Sequence, residues 1–173
     1  MRRDALSQVA INMRNATAKA LFESARAASE EARDIKDYLD TLEAAATKAR
    51  TQRYEPGASP SYGDRIGGSV CGMVDSEARL RRKTEANYAL IDFARLVLYG
   101  DQDGLLGLDK RLGTREANAI WHRYLGNETW NVVGKHIGKS NMTALRYVRN
   151  GLAAIDSQGI VREATRAVLT GTR

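Results

Sequence analysis

The sequence predicts an all-α chain in which a long N-terminal helix and an antiparallel partner helix precede a C-terminal trihelical helix-turn-helix. Three observations lead there. Small or apolar residues recur at alternating spacings of three and four from Leu6 to Ala49, the stripe of one long helix. Both prolines and four glycines fall within "YEPGASPSYGDRIGGSV", which ends that pattern. Between residues 114 and 156, three short helical patterns each begin at a hydroxyl residue, and glycines separate them.

Residues 1–53 form the first predicted element, with no proline or glycine to interrupt it and with Glu30, Glu31, Arg33 and Asp34 on its polar faces. A stripe of that length cannot cover itself, so it needs a later helix or a second copy of the chain. Residues 54–71 are the Pro/Gly loop. Helical spacing returns over 72–99 through Met73, Leu80, Ile91, Ala94 and Leu98, and Gly100 supplies the left-handed stop. Residues 100–113, "GDQDGLLGLDKRLG", make a second loop. Asp101, Asp103 and Gly104 have calcium-loop spacing, but Leu112 stands where the bidentate glutamate belongs, so a turn is expected rather than a calcium site. Residues 157–173 contain "IVREATRAVLT", a short helix with no assigned docking surface.

Composition narrows the function. The 173 residues suit one domain, or a small domain with a helical attachment. Cys71 stands alone, which excludes an intrachain disulfide, and no run of about eighteen apolar residues is present to cross a membrane. With no signal-peptide pattern at the start, a cytoplasmic, nucleoid-associated location is expected. Charge is uneven along the chain. Residues 113–173 carry nine Lys/Arg against four Asp/Glu, whereas the other 112 residues carry 18 against 17. A basic segment joined to a nearly neutral one is the electrostatic outline of a polyanion binder, because each phosphate that it neutralises releases counterions.

The predicted helix-turn-helix spans residues 114–156. Thr114 caps "REANAIWHRYL", with Glu116 near the positive helix start and Gly126 at its end; Thr129 caps "WNVVGKHI", which Gly138 ends; Ser140 caps "NMTALRYVRNGLAAI". At 100° per residue, Ala144, Val148, Gly151, Leu152 and Ile155 share one stripe of the third helix, and Met142, Thr143, Arg146, Arg149 and Asn150 lie opposite. An apolar back with an Arg/Asn/Thr front suits major-groove reading, where arginine pairs with guanine and asparagine with adenine. The expected DNA-binding residues are therefore Lys135, Lys139, Ser140, Asn141, Met142, Thr143, Arg146, Arg149 and Asn150. Met142, Thr143, Arg146 and Asn150 approach bases, and Lys135, Lys139 and Arg149 contact phosphates. Trp121, Tyr124, Trp130, Val133, Ile137, Val148 and Leu152 hold the three helices together.

No enzyme, cofactor or metal is expected. Gly138-Lys139-Ser140 would need a glycine five positions earlier to form a phosphate loop, and Val133 is there instead. His122 and His136 lie fourteen residues apart without a cysteine, and carboxylate support is expected only from distant segments. Cys71 has no evident base partner.

Residues 115–155 resemble region 4 of sigma factors in "RYLGNETWNVVGKHIGKSNMTALRYV", which has a capping Ser/Thr, Trp130, Gly134, Ile137, Gly138, Ser140 and Thr143 in the expected order. Over about residues 30–156 the layout resembles phage regulators of the ArpU/RinA type, with a long helix, the loop "PGASPSYGDRIGGSV", the segment "MVDSEARL" and a late sigma-like helix-turn-helix. The resemblance implies a sequence-specific, phage- or prophage-derived transcription regulator that binds double-stranded DNA. The stripe of the N-terminal helix is expected either to join two copies as a homodimer or to clamp against Met73 to Tyr99. Several positions depart from the pattern. Lys139 replaces a buried aliphatic residue, Ala144 a valine and Gly151 an alanine, and Asn127 and Glu128 occupy the turn where glycine and an apolar residue are usual.

Rival readings are a sigma-like protein or adaptor that binds RNA polymerase, and a small terminase subunit. A complete sigma factor would bring clustered aromatics to stack on melted bases. Here the first half has no tryptophan and its aromatics are scattered. A terminase subunit would place its DNA-binding part first.

Overall fold

The computed structural model describes residues 2–52, 63–101 and 104–171, and these are all-α, with no strand among them. The elements are α1 (Arg2–Met13), α2 (Ala18–Gln52), α3 (Gly63–Tyr99), α4 (Leu108–Arg111), α5 (Thr114–Ile120), a π-helical turn (Trp121–Leu125), α6 (Trp130–His136), α7 (Asn141–Gln158) and α8 (Ile160–Thr170). No described helix is long and apolar enough to cross a membrane.

The expected single helix over residues 1–53 is broken, and α2 begins only at Ala18. The reason is local capping joined to a distant acceptor. The Thr17 hydroxyl accepts the Ala20 N–H at 3.3 Å, and the Asp156 carboxylate accepts the Ala18 N–H at 2.6 Å. Helix starts leave such N–H groups without intrahelical partners, and these two acceptors satisfy them. The apolar stripe runs across the break because both pieces bury the same kind of face. Ala10 in α1 and Leu21, Phe22 and Ala25 in α2 are all buried.

The second expected helix also moves its boundary. The spacing puts it at 72–99 after a loop over 54–71, but α3 already begins at Gly63. Residues 63–71 contain no proline, and isolated glycines only weaken a helix, by about 1 kcal/mol each, rather than forbid it. The part of the predicted loop that holds both prolines lies outside the described residues. Within 100–113 the chain forms the single turn α4, with Leu108 buried. Asp101 closes the connection before it, its carboxylate accepting the Leu105 N–H at 2.8 Å; Asp103 lies outside the described residues.

The chain divides into two compact units. One comprises residues 31–84, the later part of α2 and the earlier part of α3. Ala32 and Ile35 are buried, and the Lys83 ammonium pairs with Glu31. That ion pair joins the start of one segment to the end of the other, as antiparallel directions require.

The other unit comprises residues 1–30 and 85–173. Phe22, Phe93, Val97, Leu98, Ile120 and Ile155 are fully buried in its core. Aromatic contacts tie the π-helical turn to its neighbours. Phe22 lies 5.9 Å from Tyr124, and Tyr99 meets Trp121 edge-on at 5.9 Å. The Tyr99 hydroxyl donates to Asn118 at 3.0 Å; burial, then Asp109, raises its pKa, which keeps it neutral and donating. The C-terminal segment has a defined place: α8 buries Ile160, Val161 and Ala164 and packs against α1, and the buried Thr165 hydroxyl is shared between Ala10 O and Val161 O.

Gly151, costly by helix propensity, has a packing reason. A Cβ there would lie 2.7 Å from Ile120 Cδ1 and 3.3 Å from Leu108 Cδ2, so glycine is what lets α7 approach α5 and α4 so closely. Ile120 is fully buried and cannot swing its methyl into solvent. Overpacking costs about 1–3 kcal/mol, whereas alanine returns about 1 kcal/mol of propensity. Gly151→Ala is therefore expected to lower the thermal midpoint by a few degrees in calorimetry.

Candidate nucleic-acid interface

α7 packs on both α5 and α6, and α6 also meets the π-helical turn; Ile120, Val133, Ala144 and Val148 are all buried. Trp121, Tyr124, Trp130, Ile137 and Leu152 are partly buried against this core. The connection from α6 to α7 is tight. The Lys139 N–H donates to Gly134 O at 2.8 Å, and Gly138 has φ +64°, the left-handed conformation that glycine adopts without strain. A Cβ on Gly134 would lie 2.7 Å from Lys139 O, so the backbone of the turn occupies the space a side chain would need.

Two expected caps differ in detail. Gly113, not Thr114, is the N-cap of α5, with Thr114 its first residue. Thr129 is the N-cap of α6, but its side chain makes no capping bond. Ser140 caps α7 as expected, its hydroxyl accepting the Thr143 N–H at 3.3 Å and lying 3.0 Å from the Thr143 hydroxyl.

Helix α7 has two faces. Ala144, Val148, Gly151 and Ile155 are buried, whereas Met142, Arg146, Arg149 and Asn150 are exposed, Met142 at 75 %. Met142, Thr143, Arg146, Arg149 and Asn150 line a shallow depression of about 400 Å³ on the outer face, together with Leu145, which sequence reasoning did not include. Leu145 sits between the two faces in the helical projection, so periodicity assigned it to neither. Lys135 on α6 and Lys139 and Ser140 in the turn are also exposed, though they do not line the depression. Asn141 has a structural engagement as well: its amide donates to the Asn131 side-chain oxygen, bracing the start of α7 on α6.

Among the described residues, none of Lys135, Lys139, Arg146 and Arg149 forms an ion pair with a carboxylate. Asp156, the acid within α7, is occupied by the Ala18 N–H. The outer face thus presents unneutralised cations next to a helix N-terminus, where backbone N–H groups and the helix dipole favour a phosphate.

The expectation that carboxylate support for the histidines would come from distant segments is overturned. Glu128, between them in sequence, has its Oε1 3.2 Å from His122 Nδ1 and 3.5 Å from His136 Nε2. The signal was the length of the connection, short enough to return α6 beside the helix that carries His122.

No protein-family model, curated protein or solved structure matches the chain.

Proposed function

We propose that the chain is a sequence-specific DNA-binding transcription regulator of phage or prophage type, with α5 to α7 acting as a sigma region 4-like helix-turn-helix. The observation that carries this reading is the outer face of α7, where Arg146 and Arg149 stand exposed and without carboxylate partners while the opposite face is buried. In this reading α7 enters the major groove. Arg146 and Asn150 reach base edges, Met142 and Thr143 offer apolar contact to thymine methyls, and Lys135, Lys139 and Arg149 hold phosphates on either side. Ser140 and the N-terminal N–H groups of α7 add a phosphate contact. A homodimer through the N-terminal helices would read two half-sites about one helical turn apart.

Selection from a random duplex library with purified protein tests this proposal. An enriched motif is the expected result, and a palindromic one would establish the dimer. Recovery of no motif, with binding independent of sequence, would refute sequence-specific reading. Met142 and Leu145, apolar on the same face, favour a second reading in which the surface docks on RNA polymerase. That adaptor would retain polymerase and ignore the library.

A further inference from the structure

His122 in the π-helical turn, Glu128 in the connection after it and His136 at the end of α6 form a cluster, with one ligand atom of each all within 4.8 Å of one another. We propose that His122 Nδ1, His136 Nε2 and the Glu128 carboxylate bind a divalent transition cation of the zinc class, leaving one position for water. The inference does not depend on DNA binding.

Three observations support it. The first is spacing. Zinc–nitrogen and zinc–oxygen bonds of about 2.0–2.1 Å set neighbouring donors of a tetrahedron about 3.3 Å apart. The two Glu128–histidine separations, 3.2 and 3.5 Å, are close to that edge, and all three ligand atoms lie within 4.8 Å of one another, so a turn of one ring closes the set. The second is an unmet need for positive charge. Both imidazoles approach Glu128 Oε1, and Oε2 is buried with no hydrogen-bond partner among the described residues, as is Asn127 Oδ1 in the same turn. A buried carboxylate oxygen without a partner is costly, and a cation shared with Oε1 would satisfy it.

The third is rigidity. His122 belongs to the π-helical turn, a geometry frequent at functional sites. The following turn is tied back to it by Gly126 N–H to Trp121 O at 3.0 Å, Glu128 N–H to His122 O at 3.1 Å and Arg123 to Glu128 O at 2.7 Å. Arg123 is itself held over the Trp130 ring at 4.7 Å. Asn127 has φ +52°, an uncommon conformation for a residue with a side chain, and such positions gather at ligand clamps. Two of the three ligands are therefore fixed before a cation arrives.

The donor set selects the ion. Two imidazoles and one carboxylate suit zinc, cobalt or nickel, whereas magnesium and calcium take oxygen ligands. The imidazole rings stack 4.2 Å apart and 6° from parallel. A metal lies near the plane of each imidazole that binds it, so binding must splay the pair. His136 is the last residue of α6 and 47 % exposed, which gives its ring room to turn. A bound ion would then clamp the end of α6 to the π-helical turn.

The test uses the full-length, untagged Cys71→Ser chain, stripped with chelator and titrated calorimetrically with zinc, with cobalt as the spectroscopic probe. The expected results are one saturable zinc site, visible d–d bands of low-symmetry cobalt, and changed imidazole ¹⁵N shifts for both histidines. His136→Ala and Glu128→Gln should each weaken zinc binding by more than about tenfold, since even outer-sphere groups contribute 10- to 100-fold. Circular dichroism checks that both variants stay folded. Absence of a saturable site, or zinc affinity in folded His136→Ala equal to that of the parent, would overturn the proposal.

Discussion

Replacing Arg146 and Arg149 together with glutamate is expected to abolish specific binding and to flatten the salt dependence of what remains. A base-reading arginine contributes about 1–3 kcal/mol and a phosphate contact contributes to the counterion term, so the pair should cost at least about 2 kcal/mol, roughly 30-fold in affinity. The slope of log K against log salt should lose about 0.9 for each phosphate contact removed. Both side chains are exposed and neither is in an ion pair with a carboxylate, so thermal stability should barely change. That separation matters, because a loss of binding with unchanged melting assigns the effect to the surface. Fluorescence anisotropy over a salt series provides the measurement. Unchanged affinity and slope would favour the adaptor reading.

The second large effect is expected from Gly134→Val. Its Cβ would meet Lys139 O at 2.7 Å and Asn141 Oδ1 at 3.0 Å. The first of these is backbone and cannot rotate away, so the turn has to open and the Lys139-to-Gly134 hydrogen bond is lost. Overpacking and a broken backbone hydrogen bond together cost about 2–4 kcal/mol, a fall of roughly 4–16 °C for a chain of this size. The packing of α1 on α8 does not involve this turn, so helix content should persist at low temperature. Circular dichroism melting beside a binding assay distinguishes the result from that of the arginine pair: here both stability and DNA affinity fall.

Periodicity carried the all-α class and the division of α7 into a buried and an exposed face, because both follow from local spacing. It failed where the deciding partner is remote in sequence. The break between α1 and α2 depends on Asp156, whose carboxylate lies 138 positions from the N–H that it accepts. The stripe from Leu6 to Ala49 is blind to such an acceptor. The docking of α8 on α1 joins the two ends of the chain, and no local pattern records it. Gly151 read as a weakness of α7 until Ile120 and Leu108 were placed beside it. The π-helical turn hid inside an ordinary helical pattern, and with it the return of Glu128 to His122. Spacing also gave no warning that Asn141, expected to face DNA, is braced on Asn131.

The outer face of α7 can be tested most directly by titrating isotopically labelled full-length protein with a duplex carrying the selected motif and following amide and arginine Nε–H signals. The account predicts the largest changes at Lys139 to Asn150, including the side chains of Arg146 and Arg149, with residues 160–170 of α8 nearly unaffected. Changes centred on α2, α3 or α8, with the Arg146 and Arg149 signals unmoved at saturation, would contradict it.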